Sequence, residues 1–204
     1  IDKTDFIREW WENQDAVTLI TRPRRFGKTL TMSMLEYFFS VECAGKAGLF
    51  EGLSIWKEER YRQLQGTYPV ISLSFARVKE TTFPGARTQI CQIITELYDK
   101  YDFLLDSGCL NEREKERFRG VSVDMADYLA TNSLHALSSF LSRYYGKKVI
   151  LLLDEYDTPM QEAYVHGYWR EVGEFLRSLF NASFKTNPYL ERALVSARSR
   201  SSPI

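Results

Sequence analysis

A basic turn ending in Gly27-Lys28-Thr29 carries the chemistry most readily read from this chain. A β-branched run over 17–21 leads into Arg22-Pro23-Arg24-Arg25-Phe26, and an amphipathic stretch with Leu30, Met34, Leu35 and Phe38 follows the triplet. Strand, loop and helix in that order form a phosphate-binding unit. Loop amides and the positive end of the helix dipole cradle anionic oxygens. Lys28 is placed to reach the β/γ-phosphates, and the Thr29 hydroxyl to ligate Mg²⁺. The full pattern has glycine at both ends, whereas Arg22 stands at the first position here. The loop therefore needs support from elsewhere in the chain. The expected nucleotide-contacting set is Arg24, Arg25, Phe26, Gly27, Lys28, Thr29 and Leu30. For Arg24 and Arg25 two readings stand: charge-assisted phosphate contacts, or solvated arginines on an exposed loop.

Support comes from Lys148-Val-Ile-Leu-Leu-Leu-Asp154-Glu155. The aliphatic run reads as a parallel strand buried on both faces. It ends in two acids. Beside a phosphate loop, Asp154 can hold Mg²⁺ directly or through water, and Glu155 is placed to polarise an attacking water. Either motif alone is weak, since a Gly-Lys-Thr triplet and an aliphatic strand ending in an acid both occur by chance. Together, in their required contexts, they point to a nucleotide site. Asp157 reads as an N-cap for a helix starting at Thr158, or as outer support for the site. Ser196 reads as a sensor of the γ-phosphate or as an ordinary strand residue. His135 and His166 have no partners at ligand spacing and read as structural. Trp10-Trp11 could stack on a base; anchoring to a core is the commoner use.

These residues need a scaffold. The pattern predicts helices over 4–13 (capped by Thr4 or Asp2), from the Gly-Lys-Thr triplet to about 40, over 55–64, 85–104, 111–119, 124–145, 158–164 and 168–184. It predicts strands over 17–21, 70–75, 148–153 and 193–196. Residues 44–53, with three glycines, read as a loop. Gly108 and Gly146 read as helix stops, and Asn187-Pro188 as a break. Strand–helix alternation with long crossovers implies a parallel sheet covered on both faces.

The chain has 204 residues, enough for one large α/β domain. With 27 basic and 27 acidic side chains its net charge is zero, which gives no support to sequence-independent nucleic-acid binding. Cys43, Cys91 and Cys109 lack zinc or redox spacing and read as reduced thiols of a cytosolic protein. No apolar run reaches the roughly 20 residues that span a bilayer. The first residue is Ile1, so a fragment of a longer protein is expected.

With both motifs placed, the chain resembles the bacterial and archaeal AAA-ATPase-like family. These are P-loop NTPases usually followed by a PD-(D/E)XK nuclease-like domain. The resemblance rests on Asp2-Lys3-Thr4, on 21–29 (Thr-Arg-Pro-Arg-Arg-Phe-Gly-Lys-Thr), on Leu153-Asp-Glu-Tyr-Asp-Thr-Pro159 and on Asn187-Pro-Tyr-Leu190. In this family Arg22 in place of glycine is usual. After Ser196-Ala197 the chain departs from the family pattern: Arg200 falls at the family arginine, but the later Lys-Glu is missing. The resemblance implies a three-layer P-loop α/β sandwich of the additional-strand class, C-terminally incomplete. In that class the acid-bearing strand is separated from the phosphate-loop strand by the fourth strand. It further implies ATP and Mg²⁺ as cofactors, Glu155, Ser196 and Arg200 as catalytic residues, and Thr29 and Asp154 as metal ligands. A partner domain would receive the energy of hydrolysis. Rival readings are a nucleotide-sensing module with little turnover, an accessory domain of a nucleic-acid-processing protein, and a non-binding scaffold.

Overall fold

The computed structural model describes residues 2–22 and 27–198. Its centre is β3 (Val149–Asp154), in which every residue is buried. Beside it lie β2 (Val70–Ser74) and β4 (Leu190–Arg198), with β1 (Val17–Arg22) outside β4. The order β1-β4-β3-β2 is parallel throughout. β4 thus separates β1 from β3, the strand order that the resemblance implies.

Side chains alternate along the strands with period two, so each face of the sheet collects its own core. Ile150, Leu152 and Leu194 face a layer containing α1 (Asp5–Glu12), α2 (Lys28–Phe39) and α3 (Glu59–Leu64). Leu151, Leu153, Ala193 and Val195 face a layer containing α4 (Phe83–Asp99), α5 (Glu112–Arg119), α6 (Asp127–Tyr145), α7 (Thr158–His166) and α8 (Trp169–Phe180). Each buried Val, Leu or Ile contributes about 1.5–3 kcal/mol relative to exposure. A strand buried on both faces is therefore held firmly between the two layers.

α1 is pinned to the sheet by aromatic packing rather than by a ligand. Trp10 is 4% exposed, packs on Phe39 and donates Nε1–H to Thr18 Oγ1 at 3.2 Å. Buried Arg192 of β4 lies 4.0 Å from the Trp11 ring centre and donates to the Trp10 and Trp11 carbonyls at 2.9 and 2.7 Å. The anchoring reading of the two tryptophans is the observed one.

Several boundaries differ from expectation. Val41–Leu49 is a 3-10 segment rather than loop. Ser40 Oγ accepts the Glu42 N–H, starting the turn. Gly66, at φ +68, lets this segment approach: a Cβ there would lie 2.4 Å from Ala44 Cα. The expected helix over 55–64 is split by extended Glu58 into a 3-10 turn, Ser54–Lys57, and α3. α4 stops at Asp99, and a 3-10 segment, Asp102–Asp106, intervenes before Gly108. α6 starts at Asp127 and ends, as expected, at a left-handed Gly146. After α8 the chain passes into a single π turn, Asn181–Lys185. β4 extends beyond 193–196 at both ends.

Candidate nucleotide site

The strands are parallel, so their carboxyl ends share one edge of the sheet, where α/β proteins bind ligands. Arg22, Asp154 and Arg198 end β1, β3 and β4 there. α2 starts at the same edge. Gly27, just before it, holds φ +76, a conformation that suits glycine. Its carbonyl accepts both the Thr31 N–H at 2.9 Å and the Thr31 hydroxyl at 3.0 Å, fixing the first turn. Lys28 is 7% exposed and donates Nζ–H to the Ala197 carbonyl of β4 at 2.7 Å.

Thr29 donates its hydroxyl to Asp154 Oδ2 at 3.1 Å. The other Asp154 oxygen, Oδ1, accepts the hydroxyl of Ser196. Ser196 is fully buried, and its Oγ also accepts the Glu155 N–H at 3.1 Å. One β4 hydroxyl therefore ties together the two acids that end β3. Glu155 itself holds φ +50, a left-handed conformation that costs a non-glycine residue about 1–3 kcal/mol. Its Oε2 accepts from Thr158 Oγ1 at 3.2 Å and forms an ion pair with Arg198 at 2.5 Å. The Arg198 N–H donates to both Asp157 oxygens, at 3.2 and 3.1 Å. Asp157 occupies the N-cap position of α7 but makes no side-chain cap bond; its carboxylate serves Arg198 and Gln161 instead.

The structure thus brings Gly27, Lys28, Thr29, Asp154, Glu155 and Ser196 together at one sheet edge. Leu30 sits on the exposed side of the first α2 turn. Arg24, Arg25, Phe26 and Arg200 lie outside the described residues. His135 packs edge-on against Tyr189, and His166 closes α7, both apart from this edge. Two residues escaped the sequence reading. Arg198, which pairs with Glu155, looked like part of a divergent tail. Lys3 has its Nζ 3.2 Å from where a Gly27 Cβ would lie; its membership of Asp2-Lys3-Thr4 was the only signal.

The oxygens of Thr29 and Asp154 fit Mg²⁺, which takes hard oxygen donors and is often held by one carboxylate together with substrate phosphates. Among the described residues no group of three or more His, Cys, Asp or Glu could hold a metal by itself. No helix among them is long and apolar enough to cross a membrane.

A family described as predicted AAA-ATPase matches residues 1–200. The chain belongs to the AAA-ATPase-like family. This AAA-ATPase-like chain is also 26% identical, over 208 aligned positions, to an "uncharacterized protein in vnfD 5′ region" of Azotobacter chroococcum mcd 1. The alignment takes in all of this chain but 34% of that relative, so the chain spans about a third of its length. No solved structure matches the chain.

Proposed function

We propose that this AAA-ATPase-like chain is a P-loop NTPase domain of the additional-strand class that binds ATP with Mg²⁺ and hydrolyses it. The observation that carries the proposal is the contact of Thr29, at the head of α2, with Asp154, at the end of β3. Two oxygen donors from distant parts of the chain meet beside a helix N-terminus, which is what a metal–phosphate site requires.

Each residue then has a role that its surroundings support. The amides at 27–29 and the α2 dipole hold phosphate oxygens. Lys28 turns from the Ala197 carbonyl to the β/γ-phosphates. Thr29 and Asp154 would hold Mg²⁺, which when bound neutralises charge on the phosphate oxygens. Glu155 orients and polarises the attacking water. Ser196 keeps the two acids in register. Arg24, Arg25 and Phe26 from the loop, and Arg200 after β4, would complete the phosphate contacts. The energy of hydrolysis would act on a partner domain, for which a nuclease-like domain is the family's usual form.

One observation favours a second reading, a nucleotide sensor with little turnover. Arg198 and Thr158 both engage the Glu155 Oε2, so that oxygen is committed to protein partners. Calorimetry with ATP, with Mg²⁺ and then with EDTA, paired with a phosphate-release assay, tests both. Mg²⁺-dependent binding with turnover supports the ATPase; the same binding without turnover supports the sensor. Absence of binding overturns both.

A further inference from the structure

A cavity of about 450 Å³ opens beside the exposed face of α2, within the size range of small-molecule sites. Its walls are mainly apolar. Leu30, Met34 and Tyr37 come from α2, and Leu49, Phe50 and Leu53 from the chain that follows. Thr31 and Ser33 of α2 and residues 2–4 complete the lining.

Two observations join this cavity to the phosphate end of α2. First, Leu30 directly follows Thr29 and is 61% exposed although apolar. Met34 and Tyr37 continue its row at helical spacing, so the apolar track runs about 10 Å along the helix from its first turn. Second, Lys3 lines the cavity and also packs against the Gly27 backbone, its Nζ 3.2 Å from the place of a Cβ. The cavity and Gly27 therefore share a rim, on which the Lys3 cation stands.

We infer that this cavity receives the purine base of the nucleotide whose phosphates sit at the head of α2. The inference rests on the phosphate-site reading given above and adds to it the base-binding surface. A purine offers two flat apolar faces, which Leu30, Met34 and Leu49 can cover and beside which the Tyr37 ring can stack. The walls are already ordered. Lys46 lies 4.4 Å from the Tyr37 ring centre and holds it against the 3-10 segment. Asp2 Oδ2 accepts the Ser54 N–H at 2.7 Å, and Thr4 Oγ1 accepts the Ile55 N–H at 3.2 Å, tying the amino-terminal wall to the opposite one. A preformed pocket loses little entropy on binding.

The test compares ATP with inorganic tripolyphosphate, each with Mg²⁺, by calorimetry on the full chain and on Met34→Trp and Leu49→Glu. Leu49 is 60% exposed, so its variant probes the rim without disturbing the core. Each variant should weaken ATP by about tenfold or more and leave tripolyphosphate within about twofold. Equal weakening of both ligands, or no weakening of ATP, overturns the base site while leaving the phosphate site standing. If the unaltered chain binds neither ligand, the phosphate site fails and the base site with it. Photolabelling with 2-azido-ATP decides the case in which tripolyphosphate alone binds too weakly to measure. Label on peptides containing residues 30–37 or 49–53 is expected. Label confined elsewhere, as when another protein segment fills this groove, overturns the inference.

Discussion

Thr29 and Asp154 lie 125 positions apart in sequence, yet the hydroxyl of one donates to the carboxylate of the other at 3.1 Å. Two further links cross the same edge: Lys28 to the Ala197 carbonyl and Glu155 to Arg198. The head of α2, the end of β3 and the end of β4 are thus bonded to one another side by side. A ligand that draws Lys28 towards phosphate must release the Ala197 carbonyl, so binding at the head of α2 is felt at the end of β4. Order in a site of this kind comes from such cross-links between rigid elements rather than from any single one of them.

If Lys28 is the cation that reaches the phosphates, as proposed above, Lys28→Ala should lower ATP affinity by about 100-fold or more. It also strips a partner from a buried β4 carbonyl, which costs about 1 kcal/mol and should lower the melting temperature by about 2–4 °C. Calorimetry with ATP and a thermal melt read the two effects separately. Unchanged affinity would sink the phosphate-loop assignment.

Glu155→Gln should keep ATP affinity within about twofold and cut turnover by about 10²–10⁴, the usual contribution of a positioned general base. Arg198→Met should act in the opposite direction. A carboxylate released from its ion pair is free to turn towards a water, so turnover should rise by about twofold or more. Single-turnover phosphate release measures both. If Arg198→Met lowers turnover as far as Glu155→Gln does, the ion pair is part of the working site rather than a restraint on it.

Much of this arrangement was legible from local pattern. β3 is apolar at every inward position on both faces, and its acids fall where the apolar run stops, so a fully buried strand with charges at its end was readable. β4 was underread because Glu191 and Arg192 look like surface residues. Arg192 is buried only because two tryptophans, from a helix some 180 positions earlier, cover its guanidinium. The 3-10 segment at 41–49 was missed for a similar reason: its glycines and alanines carry no periodic signal, and its shape depends on contact with Gly66. The pairing of Glu155 with Arg198 depends on the β3–β4 alignment, which no local pattern encodes.

Asp2 offers a pH test. Its carboxylate accepts the Thr4 N–H and hydroxyl and the Ser54 N–H, and these bonds hold its pKa well below the usual carboxylate range. A folded-state pKa below the unfolded one means that ionised Asp2 stabilises the fold. That contribution is complete above the unfolded value, about 3.9, and fades as pH falls from there towards the folded value. Asp2→Asn should therefore cost stability at pH 7, on the order of 1 kcal/mol after allowance for solvent screening. The difference from wild type should shrink progressively below about pH 4. Urea unfolding at pH 7 and at pH 3 measures it. A cost that stays the same at both values would mean that the charge of Asp2 plays no part.

β1 pairs with β4 on one side, and among the described residues no strand pairs with its other side. Its outer positions are apolar: Val17 is 40% exposed and Leu19 is 51% exposed. A β-branched strand with open backbone groups and an apolar surface is a template for pairing with another chain. The chain should accordingly self-associate as its concentration rises. Leu19→Lys should suppress this, because a charge at the centre of an edge strand opposes edge-to-edge pairing. Leu19 makes no contact with the phosphate end of α2 in the bonding described above, so nucleotide affinity should stay within about twofold. Sedimentation velocity over a concentration series, with and without the substitution, checks both points. A wild-type chain that remains monomeric throughout would show that this edge is already protected.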